Sequence, residues 1–450
     1  MLTGMMRLCQ EYEWRTFSIK WFGERRMVVT TDPACVEYVL KTNFENYPKG
    51  IRFNTTLNDL LGEGIFAVDG EKWKAQRHLM SHVFTDRAFR TVILSAFIKH
   101  MRTMRTILDK AVHTGQSLDM QALLHRFTLD SIGEIAFGVS LHSLENPDQP
   151  FVSAFDNGQA AIDLRFFTPG WRLCARRRGG GCLRSEIVLD ESINVLKNFT
   201  DRIIDERLKA GDWNDRPDVL SRAMAALDEK TGKPLYRNNN NALRDIILNF
   251  MIAGRDTTAQ ALSWALLETA RAPAAVSETL AQEARAIGAA HEDWNPSYDA
   301  IAKELRFTKA VMMETLRLFP SVPKEWKEAK KKDTLPDGTR VHAGDVLVYL
   351  PFVMGRRDDL WGKDSALFNP SRFIDAPPVS PYKFTAFNAG PRACLGQGMA
   401  MVEASFVLAG IFARYELSLS PKQQNVIPMD SLTLPQRCGV MMKVALRVSP

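Results

Sequence analysis

The longest helical pattern in the sequence, residues 241–271, limits the folds that this chain can adopt. At 1.5 Å per residue it predicts a helix of roughly 45 Å, which ends before Pro273. Its residues are apolar nearly all the way round, as the run from Ile246 to Ile252 illustrates. A helix without a polar face belongs in the interior of a large domain. The rest of the chain must therefore surround this helix.

Most of the remaining sequence is also helical. From about residue 70 to residue 275, apolar residues recur at three- and four-residue spacing, which indicates helices with one buried face. Strand patterns occur at 15–31 and again after residue 330, where 335–338 is typical of a turn and 346–349 of a strand. The sequence therefore predicts a mainly α fold with smaller β-sheet regions.

No repeat, low-complexity linker or clear boundary divides the chain. We therefore expect a single domain over 1–450, with a helical core at roughly 70–330 and a β-rich edge at roughly 15–70 and 330–450. One interruption, three arginines followed by three glycines at 176–181, must be a loop because glycine leaves the backbone too free for a helix. A flexible surface connection is its simplest interpretation.

Composition and charge exclude several classes of protein. With 45% hydrophobic and 24% charged residues, the chain is typical of a globular protein. Its net charge of +6 is spread along the sequence, which does not indicate nucleic-acid binding and would suit an anionic membrane face or an acidic protein partner. The irregular cysteine spacing indicates neither a disulfide framework nor a zinc site, so we expect a reducing compartment. The six cysteines are at positions 9, 35, 174, 182, 394 and 438.

The string Phe387–Gly396, FNAGPRACLG, places a cysteine in a tight loop before a predicted helix at Gln397–Leu408. Backbone N–H groups and the helix N-terminus favour the thiolate form of Cys394 there. Such a thiolate is a nucleophile or a metal ligand, and Arg392 offers a cation to an anionic group beside a metal. For a lone cysteine, an inert buried thiol would be the simpler interpretation.

The long helix carries a polar group at its middle, Ala253–Thr258, AGRDTT. A glycine, an acid and two hydroxyls inside an apolar core helix are costly unless they are used. Threonine hydroxyls such as that of Thr257 can bond back to i−4 carbonyls and open the helix, which leaves room for a small ligand. The alternative is a kink with solvated polar residues.

Two residue pairs share a helix face. Glu314 and Arg317 are three residues apart and can form an ion pair, which on a surface would contribute less than about 1 kcal/mol. Trp73 and Arg77 are four residues apart, a spacing too common to carry an interpretation alone.

Together these segments resemble one family. Phe387, Gly390, Arg392, Cys394 and Gly396 match the F-x-x-G-x-R-x-C-x-G signature of the cytochrome P450 family, and the resemblance runs from about residue 15 to the C-terminus. Further segments are similar to those of the family and occur in its order: Trp73-x-x-x-Arg77, Ala253–Thr258, Glu314-x-x-Arg317 and Phe368–Phe373.

The resemblance implies the cytochrome P450 fold, with a long central helix over haem b (iron protoporphyrin IX) and the loop of the cysteine ligand. It implies that Cys394 is the thiolate ligand of the iron. Asp256 and Thr257 are implied as the catalytic residues that hold dioxygen and deliver protons. The implied structural triad is Glu314, Arg317 and Arg372, and the implied cofactor-binding residues are Trp73, Arg77, Ala253, Gly254, Phe387, Gly390, Arg392 and Gly396.

The implied activity is that of a haem-thiolate monooxygenase, which activates dioxygen with electrons from NADPH delivered by a partner reductase. Other interpretations stay open: a sterol or xenobiotic monooxygenase, a haem-dependent isomerase or dehydratase of oxygenated lipids, and a non-catalytic haem-binding protein. The Asp256–Thr257 pair argues against the isomerase, because isomerisation does not need dioxygen activation.

Three segments, 43–50, 253–259 and 349–361, resemble the branch of the family that hydroxylates fatty acids, typically at the terminal carbon. An apolar channel would suit the alkyl chain. We hypothesise that Lys49 or Arg52 meets the carboxylate near the mouth of that channel, although a solvated surface cation is the simpler interpretation of either residue. The candidate substrate residues are Lys49, Arg52 and Val322.

Membrane-bound members of the family begin with an apolar anchor and a proline-rich hinge, and neither occurs in this sequence. No run of roughly 18 uncharged apolar residues occurs either, and no secretory signal opens the chain. We expect that the chain is an incomplete version of a protein held at the cytoplasmic face of the endoplasmic reticulum membrane.

Overall fold

A computed structural model gives the architecture of the protein, which is mainly helical with small sheets. This confirms the predicted fold class. Among the described residues, no helix has both the length and the apolar composition that crossing a bilayer requires. The arginine- and glycine-rich loop at 176–181 lies outside the described residues. The residues that the structure describes are 2–20, 25–81, 92–166, 168, 170–172, 183–228, 231–423 and 425–447.

The chain divides into two compact units, which we describe separately. The first unit comprises Met1–Pro48, Phe89–Thr128 and Asp256–Pro450, and the second comprises Lys49–Ala88 and Leu129–Arg255. The expected single domain over 1–450 stays a prediction. In chain order, the described helices are α1 (Leu2–Glu11), α2 (Pro33–Glu37), α3 (Gly50–Leu61), α4 (Gly70–Ser81), α5 (Leu94–Thr114), α6 (Met120–Phe137), α7 (Pro150–Arg165), α8 (Arg184–Ala210), α9 (Val219–Ala225), α10 (Asn240–Met251), α11 (Thr257–Arg271), α12 (Ala274–Ala286), α13 (Arg306–Leu318), α14 (Pro351–Met354), α15 (Asp358–Trp361) and α16 (Gln397–Phe412).

The described strands all lie in the first unit and form small sheets. They are β1 (Phe17–Ile19), β2 (Met27–Thr30), β3 (Leu118–Asp119), β4 (Glu325–Glu328), β5 (Asp333–Thr334), β6 (Arg340–Val341), β7 (Val346–Tyr349), β8 (Tyr415–Leu419) and β9 (Met441–Leu446). The largest sheet has the order β1-β2-β7-β4, in which β2 and β7 are parallel, and the others have the orders β3-β9-β8 and β5-β6.

The predicted strand at 346–349 is β7, and the predicted extended segment at 15–31 contains β1 and β2. The expected β-rich edge at 15–70 needs a correction, because α3 occupies Gly50–Leu61 within it. Leu57, Leu60 and Leu61 recur there at three- and four-residue spacing and are buried, which gives the segment one apolar helical face.

Helix α16 forms the centre of the first unit. Its residues from Val402 to Phe412 are buried all round the helix, as its largely apolar sequence requires. The Phe406 ring stacks on Trp294 at 4.7 Å between centroids and lies 6.1 Å from the Phe97 ring. The helix predicted at 397–408 is therefore present and continues for one more turn.

In the second unit, α7 and α8 pack against each other. The rings of Phe151 and Phe199 stack with centroids 4.0 Å apart. Beyond them, the buried guanidinium of Arg165 pairs with Glu186 at 2.7 Å and with Asp59 of α3 at 2.7 Å. A buried guanidinium needs such partners, since an unpaired charge in the interior is costly. This ion cluster joins three helices.

The helix predicted at 241–271 is present but not continuous. It consists of α10, a π-helical turn at Ile252–Asp256, and α11. Asn239 caps its start by accepting a hydrogen bond from the Ala242 N–H at 3.1 Å. The polar group singled out in the sequence coincides with the π turn, and such turns are frequent at functional sites.

Candidate active site

The cysteine loop is built by a short 3₁₀ turn, Gly390–Arg392, that leads to α16. The Cys394 N–H donates to the Phe387 carbonyl at 2.9 Å, which closes the loop on itself. Tyr349 donates to the Asn388 side chain at 2.9 Å, which ties the loop to β7. The structure therefore brings the signature residues into one braced turn, with the cysteine exposed just before the helix begins.

Gly390 is at a position that only glycine can occupy. Its φ is +65°, and a Cβ there would lie 2.1 Å from the Leu40 carbonyl oxygen. Gly396 is different, because a Cβ there would lie 3.9 Å from the sulfur of Cys394, which is ordinary contact. Of these two signature glycines, Gly390 is needed for close approach of the backbone, and Gly396 is not required by packing.

Replacing Gly390 with alanine is expected to lower the free energy of unfolding by about 3 kcal/mol, from left-handed strain and the clash with Leu40. Chemical denaturation of the purified protein measures this. Gly338→Ala separates the two causes, because Gly338 has a φ of +86° but open space around its Cβ position. A loss from Gly390→Ala no larger than that from Gly338→Ala would contradict the clash.

The environment of Cys394 differs from that of the buried cysteines. Burial raises the pKa of Cys9 to about 11 and that of Cys35 to about 12, so both stay protonated thiols. Cys394 is exposed and lies at the N-terminal end of the sixteen-residue helix α16, where the helix dipole favours an anion. This is the environment that a thiolate metal ligand requires.

Behind the loop, Glu314 and Arg317 form an ion pair with both side chains fully buried. Arg317 donates to both carboxylate oxygens of Glu314 at 2.7 Å, and also to the carbonyls of Gly355, Ser365 (2.6 Å) and Leu367 (3.0 Å). The surface alternative for this pair is therefore wrong. One guanidinium satisfies several backbone carbonyls of the segment that precedes the cysteine loop.

Arg372 joins this pair more loosely. Its Nε lies 3.5 Å from Glu314, whereas its shorter contacts are to Asp364 at 2.7 Å and to the Trp361 carbonyl at 2.7 Å. The triad is thus a buried pair with a half-buried third member.

The acid that the sequence singled out ends the π turn, and the hydroxyl belongs to Thr257, the first residue of α11. Asp256 is 2% exposed, so a solvated kink is not its environment. The Thr257 carbonyl accepts a hydrogen bond from the Ser321 hydroxyl at 2.7 Å, which joins the start of α11 to the loop after α13. Arg255 pairs with Asp156 in the second unit at 2.6 Å.

Gly254 has a packing reason of its own. A Cβ at this position would lie 2.5 Å from Cδ1 of Ile132, so the absence of a side chain lets α6 approach the π turn within the second unit. Ala253 is the neighbouring residue of the same turn and is half-buried.

Trp73 and Arg77 are on α4, in the second unit. Trp73 is buried, and the guanidinium of Arg77 lies 5.8 Å from the centre of the Trp73 ring. They share one helix face, as the spacing predicts.

Of the candidate substrate residues, Lys49 is 9% exposed, so the simpler alternative of a solvated surface cation does not fit it. Its Nζ lies 4.5 Å from the centre of the Phe53 ring, while the N–H groups of Lys49 and Gly50 donate to Asp69 at 2.9 and 3.0 Å. Arg52 is half-buried on the first turn of α3. In the first unit, Val322 is half-buried next to Ser321.

One polar contact and one polar cluster could not be found from the sequence. His125 of α6 lies 3.4 Å from Asp256, although nothing in the spacing of the two residues indicates it. Asp333 accepts hydrogen bonds from Tyr47 (2.8 Å), Asn43 (2.8 Å) and Tyr38 (3.2 Å). This cluster gives the segment 43–50 a structural reason for its polar residues.

Comparisons of the sequence with known proteins show the family to which the chain belongs. The family model described as Cytochrome P450 matches residues 2–442. The chain belongs to the cytochrome P450 family. Cytochrome P450 704B1 of Arabidopsis thaliana is 38% identical over 433 residues, which cover 87% of this chain and 81% of that protein. Cytochrome P450 704C1 of Pinus taeda is 36% identical, covering 94% and 85%, and Cytochrome P450 94B3 of Arabidopsis thaliana is 34% identical, covering 99% and 87%.

As a cytochrome P450, the protein is a monooxygenase that uses haem b, with electrons from NADPH supplied through a reductase. Dioxygen and a lipophilic molecule are its substrates. The donor set fits this cofactor, because the exposed sulfur of Cys394 at the start of α16 suits a thiolate ligand and the buried thiols of Cys9 and Cys35 do not.

Proposed function

We propose that this cytochrome P450 hydroxylates a fatty acid at or near its terminal carbon, with Lys49 and Arg52 receiving the carboxylate. The observation that carries the proposal is Lys49 itself, a buried residue whose Nζ lies 4.5 Å from the centre of the Phe53 ring at the start of α3. Ammonium and guanidinium groups bind carboxylates through charge-assisted hydrogen bonds, which are about twice as strong as neutral ones. The resemblance of segments 43–50, 253–259 and 349–361 to fatty-acid hydroxylases points to the same substrate class.

Haem b, when bound, supplies the redox chemistry by which dioxygen is split and one oxygen atom is inserted into a C–H bond. In our proposal Cys394 holds the iron as a thiolate, and the dipole of α16 keeps the sulfur anionic. Trp73, Arg77 and Arg392 would bind the anionic propionates as cations and hydrogen-bond donors. Ala253, Gly254, Phe387, Gly390 and Gly396 would line the cofactor with small or apolar groups.

The proton supply is assigned to the π turn. Reduction of dioxygen to water and a hydroxylated product consumes two protons for each turnover. Asp256 is buried and does not exchange protons directly with bulk water, which suits a relay. Thr257, the next residue, would orient the oxygen by a hydrogen bond from its hydroxyl.

The Glu314–Arg317 pair and Arg372 are assigned a structural role. Because Arg317 donates to three backbone carbonyls between residues 355 and 367, it holds the segment that leads to the cysteine loop. No step of the reaction is assigned to the triad.

The carboxylate proposal predicts a selective effect on binding. In the double variant Lys49→Ala/Arg52→Ala, KM for a long-chain fatty acid is expected to rise about tenfold, which corresponds to about 1.4 kcal/mol, while kcat stays similar. The cause is loss of charge pairing with the carboxylate. Steady-state assays with the reductase and NADPH measure both constants.

The fatty alcohol of the same chain length is the matched substrate, because it lacks the carboxylate and should show no change of KM. Lys72→Ala is the matched variant, since Lys72 is 64% exposed and pairs with Glu63 on the surface of the same unit. An equal rise of KM for the acid and the alcohol would rule out the carboxylate contact. Val322→Ala tests the remaining candidate residue by regioselectivity of the product.

A sterol or xenobiotic monooxygenase is the second candidate for the substrate. Titration of the haem-loaded protein with fatty acids, sterols and xenobiotics distinguishes the substrate classes, because a bound substrate shifts the haem from low to high spin. NADPH consumption with product formation separates a monooxygenase from an isomerase, a dehydratase or a non-catalytic haem protein.

We also propose that the protein meets its reductase at the cytoplasmic face of the endoplasmic reticulum membrane, where a lipophilic substrate concentrates. Fractionation of cells that express the protein tests this location.

A further inference from the structure

The buried acid of the π turn lies against a histidine from another helix. His125 of α6 places its Nδ1 3.4 Å from Oδ1 of Asp256, with the two side chains 16% and 2% exposed. Both residues belong to the first unit. We propose that His125 is a positioning residue, which holds the Asp256 carboxylate in the orientation from which it delivers protons. This inference rests on the role proposed for Asp256 above.

The position of α6 along the π turn explains why these two residues meet. Ile132 fills the space over Gly254 within the second unit, where a Cβ would lie 2.5 Å from its side chain. His125 is seven residues before Ile132, which is two helical turns along the same face. Close packing at Gly254 therefore fixes the register in which His125 reaches Asp256. The histidine is held by the helix, and its contact does not depend on a mobile loop.

A carboxylate such as Asp256 needs a contact of this kind. The χ2 torsion of aspartate is broad, so the direction of its oxygens is set by neighbouring groups more than by its own rotamer. Burial at 2% exposure also makes an unpaired carboxylate costly. At 3.4 Å the imidazole is at ion-pair distance, slightly beyond an ordinary hydrogen bond. A contact at this distance restricts the direction of the carboxylate.

The two ring nitrogens of His125 have different environments, which makes the proposal specific. Nδ1 faces Asp256, whereas Nε2 is buried and has no hydrogen-bond partner among the described residues. The side-chain N–H of asparagine occupies nearly the position of Nδ1, and that of glutamine the position of Nε2. Leucine has similar bulk and no N–H. His125→Asn, His125→Gln and His125→Leu therefore form a matched set.

The test uses the haem-loaded enzyme with its reductase. In His125→Leu, product formed per NADPH is expected to fall about tenfold, with the electrons appearing as hydrogen peroxide, while KM is unchanged. His125→Asn restores most of the yield and His125→Gln does not. When hydrogen peroxide replaces NADPH and dioxygen, His125→Leu keeps its rate within about twofold, because the peroxide brings its own protons.

A second readout does not depend on activity. Thermal unfolding midpoints of His125→Leu, Asp256→Asn and the double variant form a cycle, and the two shifts are expected to be non-additive because the side chains touch. His342→Leu is the matched control, since His342 makes a similar 3.6 Å contact with Asp345 but is 67% exposed.

Normal product yield in His125→Leu, equal damage in the leucine and asparagine variants, or additive shifts of the midpoint would each overturn the inference. Failure of the proposed function is a separate result. It would appear in the unmodified protein as the absence of the thiolate-type spectrum with carbon monoxide, or as NADPH use without any hydroxylated product.

Discussion

Cys394→Ala is expected to abolish monooxygenase activity and the Soret band that the reduced, carbon monoxide-bound protein shows when a thiolate holds the iron. The physical reason is that alanine offers no ligand, and the loop holds no second thiol between Phe387 and Gly396. The spectrum of the dithionite-reduced protein with and without carbon monoxide measures the band. Activity is followed as hydroxylated product with NADPH and reductase.

Cys438→Ser is the matched control for this experiment. Cys438 is the other exposed cysteine of the described residues, and it lies in the turn before β9. Its replacement should leave the band and the activity unchanged. A thiolate-type band that survives in Cys394→Ala and disappears in Cys438→Ser would reverse the ligand assignment.

Glu314→Gln is expected to lower the free energy of unfolding by about 3–5 kcal/mol. Both partners of the Glu314–Arg317 pair are fully buried, so the variant leaves an uncompensated guanidinium in the interior. The amide also cannot accept at both of its ends, although Arg317 and the Asn369 N–H (2.8 Å) use both oxygens of the carboxylate. Chemical denaturation, followed by circular dichroism, measures the loss.

Two variants calibrate that result. Glu71→Gln removes an i,i+3 partner of Lys74, but those side chains are 89% and 54% exposed, so no measurable change is expected. The loss of unfolding free energy in Arg372→Leu should be intermediate. Arg372 is 14% exposed, and its 3.5 Å contact with Glu314 is longer than the 2.7 Å contact of Arg317. Equal losses from Glu314→Gln and Glu71→Gln would contradict the assignment of the buried pair as a brace.

Elements with a strong local pattern could be predicted from the sequence. Strand β7 has an apolar run and helix α16 a largely apolar one, both bounded by clear turns, so their type and start were predictable. The helix at 50–61 was missed because aromatic and β-branched residues precede a leucine spacing that becomes clear only in its last turns. The cysteine loop was predictable because its glycines and proline are adjacent along the chain.

Contacts between distant segments could not be predicted in this way. His125 and Asp256 meet because α6 packs on Gly254, and the sequence contains no signal for that register. The burial of Lys49 likewise depends on the Phe53 ring and on Asp69, which fixes the backbone at the start of α3. The pairing of Arg372 with Asp364 follows from the path of the chain between α15 and a 3₁₀ turn at Pro370–Phe373, in which Arg372 lies.

The π turn at Ile252–Asp256 divides the long helix into two parts, α10 and α11, whose side-chain directions are offset about the helix axis. A π turn holds one residue more than the α-helical turn that it replaces, and each residue of an α-helix advances by about 100°. Every side chain from Thr257 onward is therefore rotated by that angle from where an unbroken helix would point it. Deleting one residue from 252–256 would bring α10 and α11 back into phase, and would turn the Gln260 and Trp264 side chains away from Thr433 and Leu434, to which they now bond at 2.9 and 2.8 Å.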